Sequence, residues 1–286
     1  MKYQEYKIAE PYQTVYHYLK TMHFSENYIK NLRKDWGNIL VNEKIVNIRC
    51  PLCIGDVLKI NSSPNQKTDI KTCILPLDIV YEDEYYILIN KPSGISCMPN
   101  KSHYDNNLAG AILNYMQDKE SNFVVRILNR LDKDTAGIII VAKSSIAQKD
   151  IKNLDKTYHA ICEGIIDKSI QINSPIKTIN INGVNNRKRI LSQDGQDATT
   201  FVTPISHNKL YSLISLKLKH GRTHQIRLHL SSIKHSLIGD EIYGTKSTLI
   251  SHTALVCKEL SFFHPYLKKQ LSFEIDYPQD IKKILP

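Results

Sequence analysis

"RILNRLDKDTAGIIIVAK" runs from Arg126 to Lys143. Four charged residues, Arg130, Asp132, Lys133 and Asp134, stand directly ahead of the apolar run Ile138-Ile139-Ile140-Val141-Ala142. A short, continuous, β-branched apolar run bounded by turn signals predicts a buried strand. A polar turn at its mouth is the ordinary case. Whether the charge there does more than turn the chain depends on what the rest of the sequence supplies.

The chain has 286 residues, enough for roughly two domains of about 150 residues each. With 42% hydrophobic and 23% charged residues it has a globular composition able to bury a core. No apolar run approaches the ~18 residues of a membrane span. The N-terminal stretch "MKYQEYKIAEPYQ" carries Glu5 and Glu10 and no apolar h-region, so neither a secretory nor an organellar leader is expected. The expected setting is the cytoplasm, without a membrane partner. The net charge of +10 and the pI near 9.1 favour a polyanionic partner, nucleic acid above all. The six cysteines are scattered, and reduced thiols are expected. "CPLC" at Cys50–Cys53 has the spacing of half a zinc site, but no second C-x-x-C completes it.

The first unit predicted spans residues 1–61, with a core from about residue 14. Val15, Tyr18, Leu19 and Met22 form a helical stripe. A second helix is expected behind Ser25 as N-cap, with Glu26 in its first turn, Tyr28, Ile29 and Leu32 on one face and Gly37 at its stop. Lys30, Arg33 and Lys34 lie largely off that stripe and make a basic face. Short strand-like pieces follow in "NILVNEKIVN" and "DVLKI". Residues 62–76, with "NSSPNQKTD", have linker composition.

Residues 77–286 read as a second unit. "LDIVYEDEYYILINKPSG" predicts two strands around an acidic turn, and "NNLAGAILNYM" a helix. "SSIAQKDIKNLD" predicts a helix capped by Ser144 or Ser145, with Ala147, Ile151 and Leu154 on one face. "KTYHAICEGII" alternates as a half-buried strand, and "NGVNNRKRILSQDGQDATTFV" reads as a basic loop or hairpin. Strands outnumber helices and hairpin-length links dominate. The fold class expected is α+β, with a mixed, mainly antiparallel sheet and flanking helices.

"KLKHGRTHQIRLHLSSIKHSLIGDEIYG", Lys217–Gly244, gathers His220, His224, His229 and His235. The His220/His224 spacing suits a helical metal pair, but Gly221 interrupts it and the other two do not continue on one face. Thr223 is the expected cap of a helix through Ile226, Leu230 and Ile233, which would set Arg222, Arg227 and the histidines near an anion-attracting end.

Together these stretches carry a resemblance. "NRLDKDTAG", "KTYHAICEG", "GRTHQIRLH" and "GDEIYG", with "NKPSG" and "SFFHP", follow in order the motifs of the RluA-type RNA pseudouridine synthases. The first unit, through "LVN" at Leu40–Asn42 and Gly55-Asp56, resembles the S-four-type (alpha-L) RNA-binding domain, which that family also uses. The resemblance implies an isomerase that cleaves the C1′–N1 bond of uridine, turns the base and rebonds it through C5. Nothing is oxidised or added, so neither a cofactor nor a metal is expected.

The resemblance makes Asp132 the catalytic carboxylate, acting as nucleophile or as base. Arg227 is its expected ion-pair partner, and Tyr158 the stacking partner of the uracil. Arg130 is the expected wedge when the base flips. Arg222 and His224, with Lys30, Arg33 and Lys34 of the basic face, are the expected RNA contacts. The implied partner is RNA, leaning toward large-subunit ribosomal RNA with transfer RNA as the alternative; a monomer is expected. Two positions depart from the family pattern: Asn129 replaces its usual His, and Ala136 its usual Ser. Asn129 keeps open a non-catalytic RNA-binding or ribosome-assembly protein on the same scaffold. The histidines keep open a metal-dependent RNA hydrolase.

Overall fold

Thr14 opens the first helix: its side chain accepts from the His17 N–H, and α1 runs Val15–Thr21 after an edge strand β1 (Tyr3–Lys7). Ser25 does the same for Tyr28 at the start of α2 (Glu26–Leu32). Such caps satisfy N–H groups that the helix leaves without partners. Val15, Tyr18 and Leu19 of α1 and Tyr28, Ile29 and Leu32 of α2 are buried, as their spacing demands. Gly37 has the positive φ of a stop but lies beyond the C-cap, Arg33, in the turn leading to β2. Strands β2 (Ile39–Val41), β3 (Lys44–Ile45) and β4 (Val57–Asn61) complete an antiparallel sheet ordered β1-β4-β2-β3. The two helices and this sheet enclose a hydrophobic cluster of their own. The strand β1 was not foreseen; its alternating exposure is that of a half-buried edge.

This is a computed structural model, and it describes residues 3–64, 69–99, 105–117, 119, 123–181 and 186–286. Part of the linker read at 62–76 and the turn of the basic hairpin near residue 184 lie outside the described residues.

The remaining elements are β5 (Asp78–Glu82), β6 (Tyr86–Lys91), α3 (Leu108–Gln117), β7 (Arg126–Ile127), β8 (Ala136–Ala142), α4 (Ser145–Asp150), β9 (Asp155–Glu163), β10 (Ile170–Asn173), β11 (Ile176–Ile181), β12 (Asn186–Leu191), β13 (Thr199–His207), β14 (Tyr211–Leu218), α5 (Gln225–Ser232), β15 (Leu255–His264), β16 (Lys269–Glu274) and α6 (Gln279–Lys282). A 10-stranded sheet runs β10-β13-β14-β9-β15-β8-β6-β5, with β16 on β15 and β7 on β8. Its strand pairings are antiparallel except β8 with β15. The basic stretch forms a separate hairpin of β11 and β12.

Every residue of β8 is buried, because hydrophobic clusters cover both faces of the sheet. Ile139 and Val141 enter one cluster, Ile138 and Ile140 the other. Gly137 lets β8 converge on β15: its φ is +123°, and a Cβ there would meet the Cys257 carbonyl oxygen at 2.4 Å. The half-buried strand expected at "KTYHAICEGII" is instead a central strand. Tyr158, Ala160 and Cys162 of β9 face one cluster while Ile161 is buried in the other, since β14 and β15 flank it.

Helix α4 is shorter than its sequence pattern suggested. Ser144 caps it, and it ends at Asp150, so Ile151 and Leu154 pack from the following segment. Its Ile146 is fully buried, and it enters the cluster of the first unit rather than that of the sheet beneath it.

Candidate active site

The charged loop between β7 and β8 is held by its backbone at almost every residue. The buried Asn129 amide donates to the Ile138 carbonyl (2.9 Å) and accepts from the Ile140 N–H (2.8 Å). It completes a ladder where the loop leaves the strand. Leu131 exchanges weak bonds with the Cys97 thiol, whose Sγ lies 3.1 Å from the Leu131 carbonyl. The Gly94 N–H donates to the Lys133 carbonyl (2.9 Å) and the Ser93 hydroxyl to that of Asp134 (3.0 Å).

Lys91 underlies this arrangement. Its side chain is fully buried and its ammonium donates to the carbonyls of Pro92 (2.8 Å), Ile95 (2.8 Å) and Lys133 (3.0 Å). Burial brings its pKa down to about 8. Lys91 was missed as a site residue. A lysine ending the apolar run "YILINK" was the available signal, because a buried lysine needs a dedicated set of acceptors.

So anchored, the loop presents Asp132, half-buried, to a cavity of about 700 Å³. Asp132, Tyr158, Arg227, Arg130, Arg222 and His224 all line it. Lys30, Arg33 and Lys34 do not; they are exposed at the C-terminal end of α2, where Arg33 lies over the Tyr16 ring. Lys133, Lys156 and Arg189 also reach the cavity, so among the described residues six cationic side chains face it against one carboxylate, Asp132. Arg189, from β12, was not picked out in the sequence.

The ion pair expected between Asp132 and Arg227 is loose. Their nearest atoms are 4.0 Å apart, and His224 Nε2 stands 3.9 Å from the same carboxylate. The close partner of Arg227 is Asp240, which takes two bonds of 2.7 Å from its Nε and Nη2. Asp240 also accepts from the N–H groups of Ile242 and Tyr243 and is fully buried. Burial opposes both charges, but the mutual pairing outweighs it, keeping Asp240 below and Arg227 above their ordinary values. The arginine is thus fixed as a permanent cation beside Asp132.

Thr223 is not the cap of α5. His224 occupies that position with φ +58°, left-handed, and makes no capping bond. Its imidazole turns to the cavity, with Nδ1 3.1 Å from the Tyr243 hydroxyl. A non-glycine residue in this conformation is strained, and strain of this kind clusters at functional sites. Burial holds the His224 pKa below its ordinary value, despite Asp132 nearby. Tyr158 is nearly enclosed, and burial pushes its hydroxyl well above its usual value. It is a neutral phenol offering an apolar ring to the cavity.

The other histidines fan out. His229 bonds Thr200 and the Ser174 carbonyl, each at 2.9 Å, and His235 bonds the Glu163 carbonyl at 2.8 Å. Among the described residues no group of three or more His, Cys, Asp or Glu could hold a metal ion.

The chain is similar to known proteins over most of its length. The RNA pseudouridylate synthase family profile matches residues 85–232, just over half of the chain. An uncharacterized RNA pseudouridine synthase of Bacillus subtilis, YjbO, is 30% identical over 280 residues, covering 95% of this chain and 98% of that one. The ribosomal large subunit pseudouridine synthase D of Zymomonas mobilis is 35% identical over 229 residues, 73% and 71% of the two chains. In fold, the chain is similar to human RNA Pseudouridylate Synthase Domain Containing 1, with a TM-score of 0.57 at 19% identity over 74% of this chain and 86% of that one. The family profile and these relatives, with the α+β sheet and its loop-borne aspartate, lead to one conclusion: the chain belongs to the RNA pseudouridylate synthase family and is an isomerase of uridine in RNA.

Proposed function

We propose that this protein makes pseudouridine in large-subunit ribosomal RNA, with Asp132 as its catalytic carboxylate. One observation carries the reading: among the described residues Asp132 is the single carboxylate lining a cavity that six cationic side chains and the Tyr158 ring also line. The RNA phosphates meet the cationic rim. The target base, once flipped, has the Tyr158 ring to stack on. Arg130, exposed at the cavity edge, fills the space the base leaves. Arg227 stands as a fixed positive charge 4.0 Å from Asp132 as the glycosidic bond breaks, and Asp132 acts at the ribose as nucleophile or base. Arg222 and His224 hold the backbone beside it. The ribosomal target follows the large-subunit synthase D relatives.

Residues 1–61 serve as an S-four-type RNA-binding domain, with Lys30, Arg33 and Lys34 on structured RNA; residues 62–76 are the linker and 77–286 the catalytic domain. The protein acts as a cytoplasmic monomer. The alternative of a non-catalytic assembly protein rested on Asn129, and the backbone bonds of that amide give its presence a structural reason independent of catalysis. The hydrolase alternative needs converging histidines, and theirs diverge.

The test is a chromosomal Asp132→Asn substitution followed by mapping of pseudouridine in ribosomal and transfer RNA. One or more large-subunit sites should disappear. Survival of every site would refute the role of Asp132, and loss confined to transfer RNA would move the substrate there.

A further inference from the structure

A second groove, of about 610 Å³, lies where the first unit meets the catalytic sheet. One wall is the α1–α2 turn and the start of α2, with His23 and Asn27; the other is formed by residues 124–127 and α4, with Gln148 and Lys149. Met98 and Arg130 line both this groove and the catalytic cavity, so the two adjoin there. Arg126, Arg130 and Lys149, the last also paired with Asp150 at 3.3 Å, bring three cations to its lining, and among the described residues no carboxylate lines it.

The walls are held at a set distance. Ile146 of α4 is buried in the first unit's core. The Lys149 ammonium donates to the Met22 carbonyl at 3.0 Å and sits 4.0 Å over the Phe24 ring. The Ser145 N–H donates to the Ser62 carbonyl at 3.2 Å. The first unit is therefore docked on the catalytic unit through α4, and the groove is a built feature of the pair.

We infer that this groove carries the RNA strand flanking the target uridine, which leaves the catalytic cavity past Arg130 and runs between the two units. The inference rests on the reading of the cavity as an RNA site. Charge complementarity and the border shared with that cavity at Met98 and Arg130 select a polyphosphate chain over a protein segment. The first unit then reads RNA at a set distance from the modified base, which an untethered module could not do.

The experiment uses the full chain and fluorescein-labelled oligouridylates of about five and about fifteen nucleotides, the shorter spanning little beyond the cavity. Asn27 and Gln148 are exposed on opposite walls. The double variant Asn27→Glu/Gln148→Glu should lower the ratio of long-oligomer to short-oligomer affinity about tenfold, and rising salt should shrink the wild-type ratio. The neutral variant Asn27→Gln/Gln148→Asn should keep it. An unchanged ratio in the double-glutamate variant overturns the proposal, as would be found if a protein occupied the groove. An equal loss for both oligomers overturns it too. Pseudouridine formation by the wild-type protein on ribosomal RNA reports separately on the synthase reading, which the binding ratio does not require.

Discussion

Arg227 faces two carboxylates that differ in almost every physical respect. Asp240 is fully buried, takes both forks of the guanidinium at 2.7 Å and has two backbone N–H groups besides. Asp132 is half-buried and stands 4.0 Å from the same residue, with a neutral-leaning His224 at 3.9 Å. The first is a completed structural pair. The second has its charge balanced but its oxygens left for another partner. The difference separates scaffold from chemistry: saturated groups hold shape, and underused ones in a cleft are where reaction is expected.

The comparison breaks most visibly at Asp132. Asp132→Asn should cut pseudouridine formation by roughly four orders of magnitude while urea unfolding shifts by less than about 1 kcal/mol. A large loss of stability would mean that Asp132 is scaffold as well. Asp240→Asn should invert the pattern. It strands a buried guanidinium, so a loss of about 3–5 kcal/mol is expected in the same unfolding measurement. If the variant melts like the parent, Asp240 is not what fixes Arg227.

Asn129→Ala tests the loop's anchorage. It leaves the Ile138 carbonyl and Ile140 N–H without their partner, and about 1–3 kcal/mol should be lost. A neutral outcome would show that water replaces the amide.

The smallest effect is with pH. As pH rises through about 8, Lys91 loses a proton and can no longer serve three carbonyls, so the loop bearing Asp132 loosens and turnover falls severalfold. Stability moves the other way. The folded-state pKa lies below the ordinary 10.5, so the unfolded chain binds more protons between about 8 and 10.5, and this group's contribution rises with pH across that window. Rate and urea midpoint measured from neutral to alkaline pH separate the two; a parallel fall in both would refute the sign.

Much of this was legible beforehand because it is local. Ser25 and Ser144 cap the helices their positions announce, and "GIIIVA" is the buried strand it reads as. The misreadings are equally instructive. Thr223 looked like a cap, but the strained His224 takes that place because its ring is used in the cavity. Ile151 and Leu154 matched a helical period, yet α4 stops at Asp150 and turns Ile146 toward a different core. Periodicity reports that a residue is apolar and not which neighbour will cover it.

The sequence by itself determined many of the elements, the basic balance and the loop that carries Asp132, since each is written in residues a few positions apart. Only the tertiary structure decided that Arg227 clasps Asp240, thirteen residues on, and that Lys91 supports the loop from forty-two residues away. It alone docked the first unit on α4. Such pairings depend on which buried charge finds its counter-charge and which carbonyl its donor. That is settled when chain segments meet and water is excluded, where an unpaired polar group costs most.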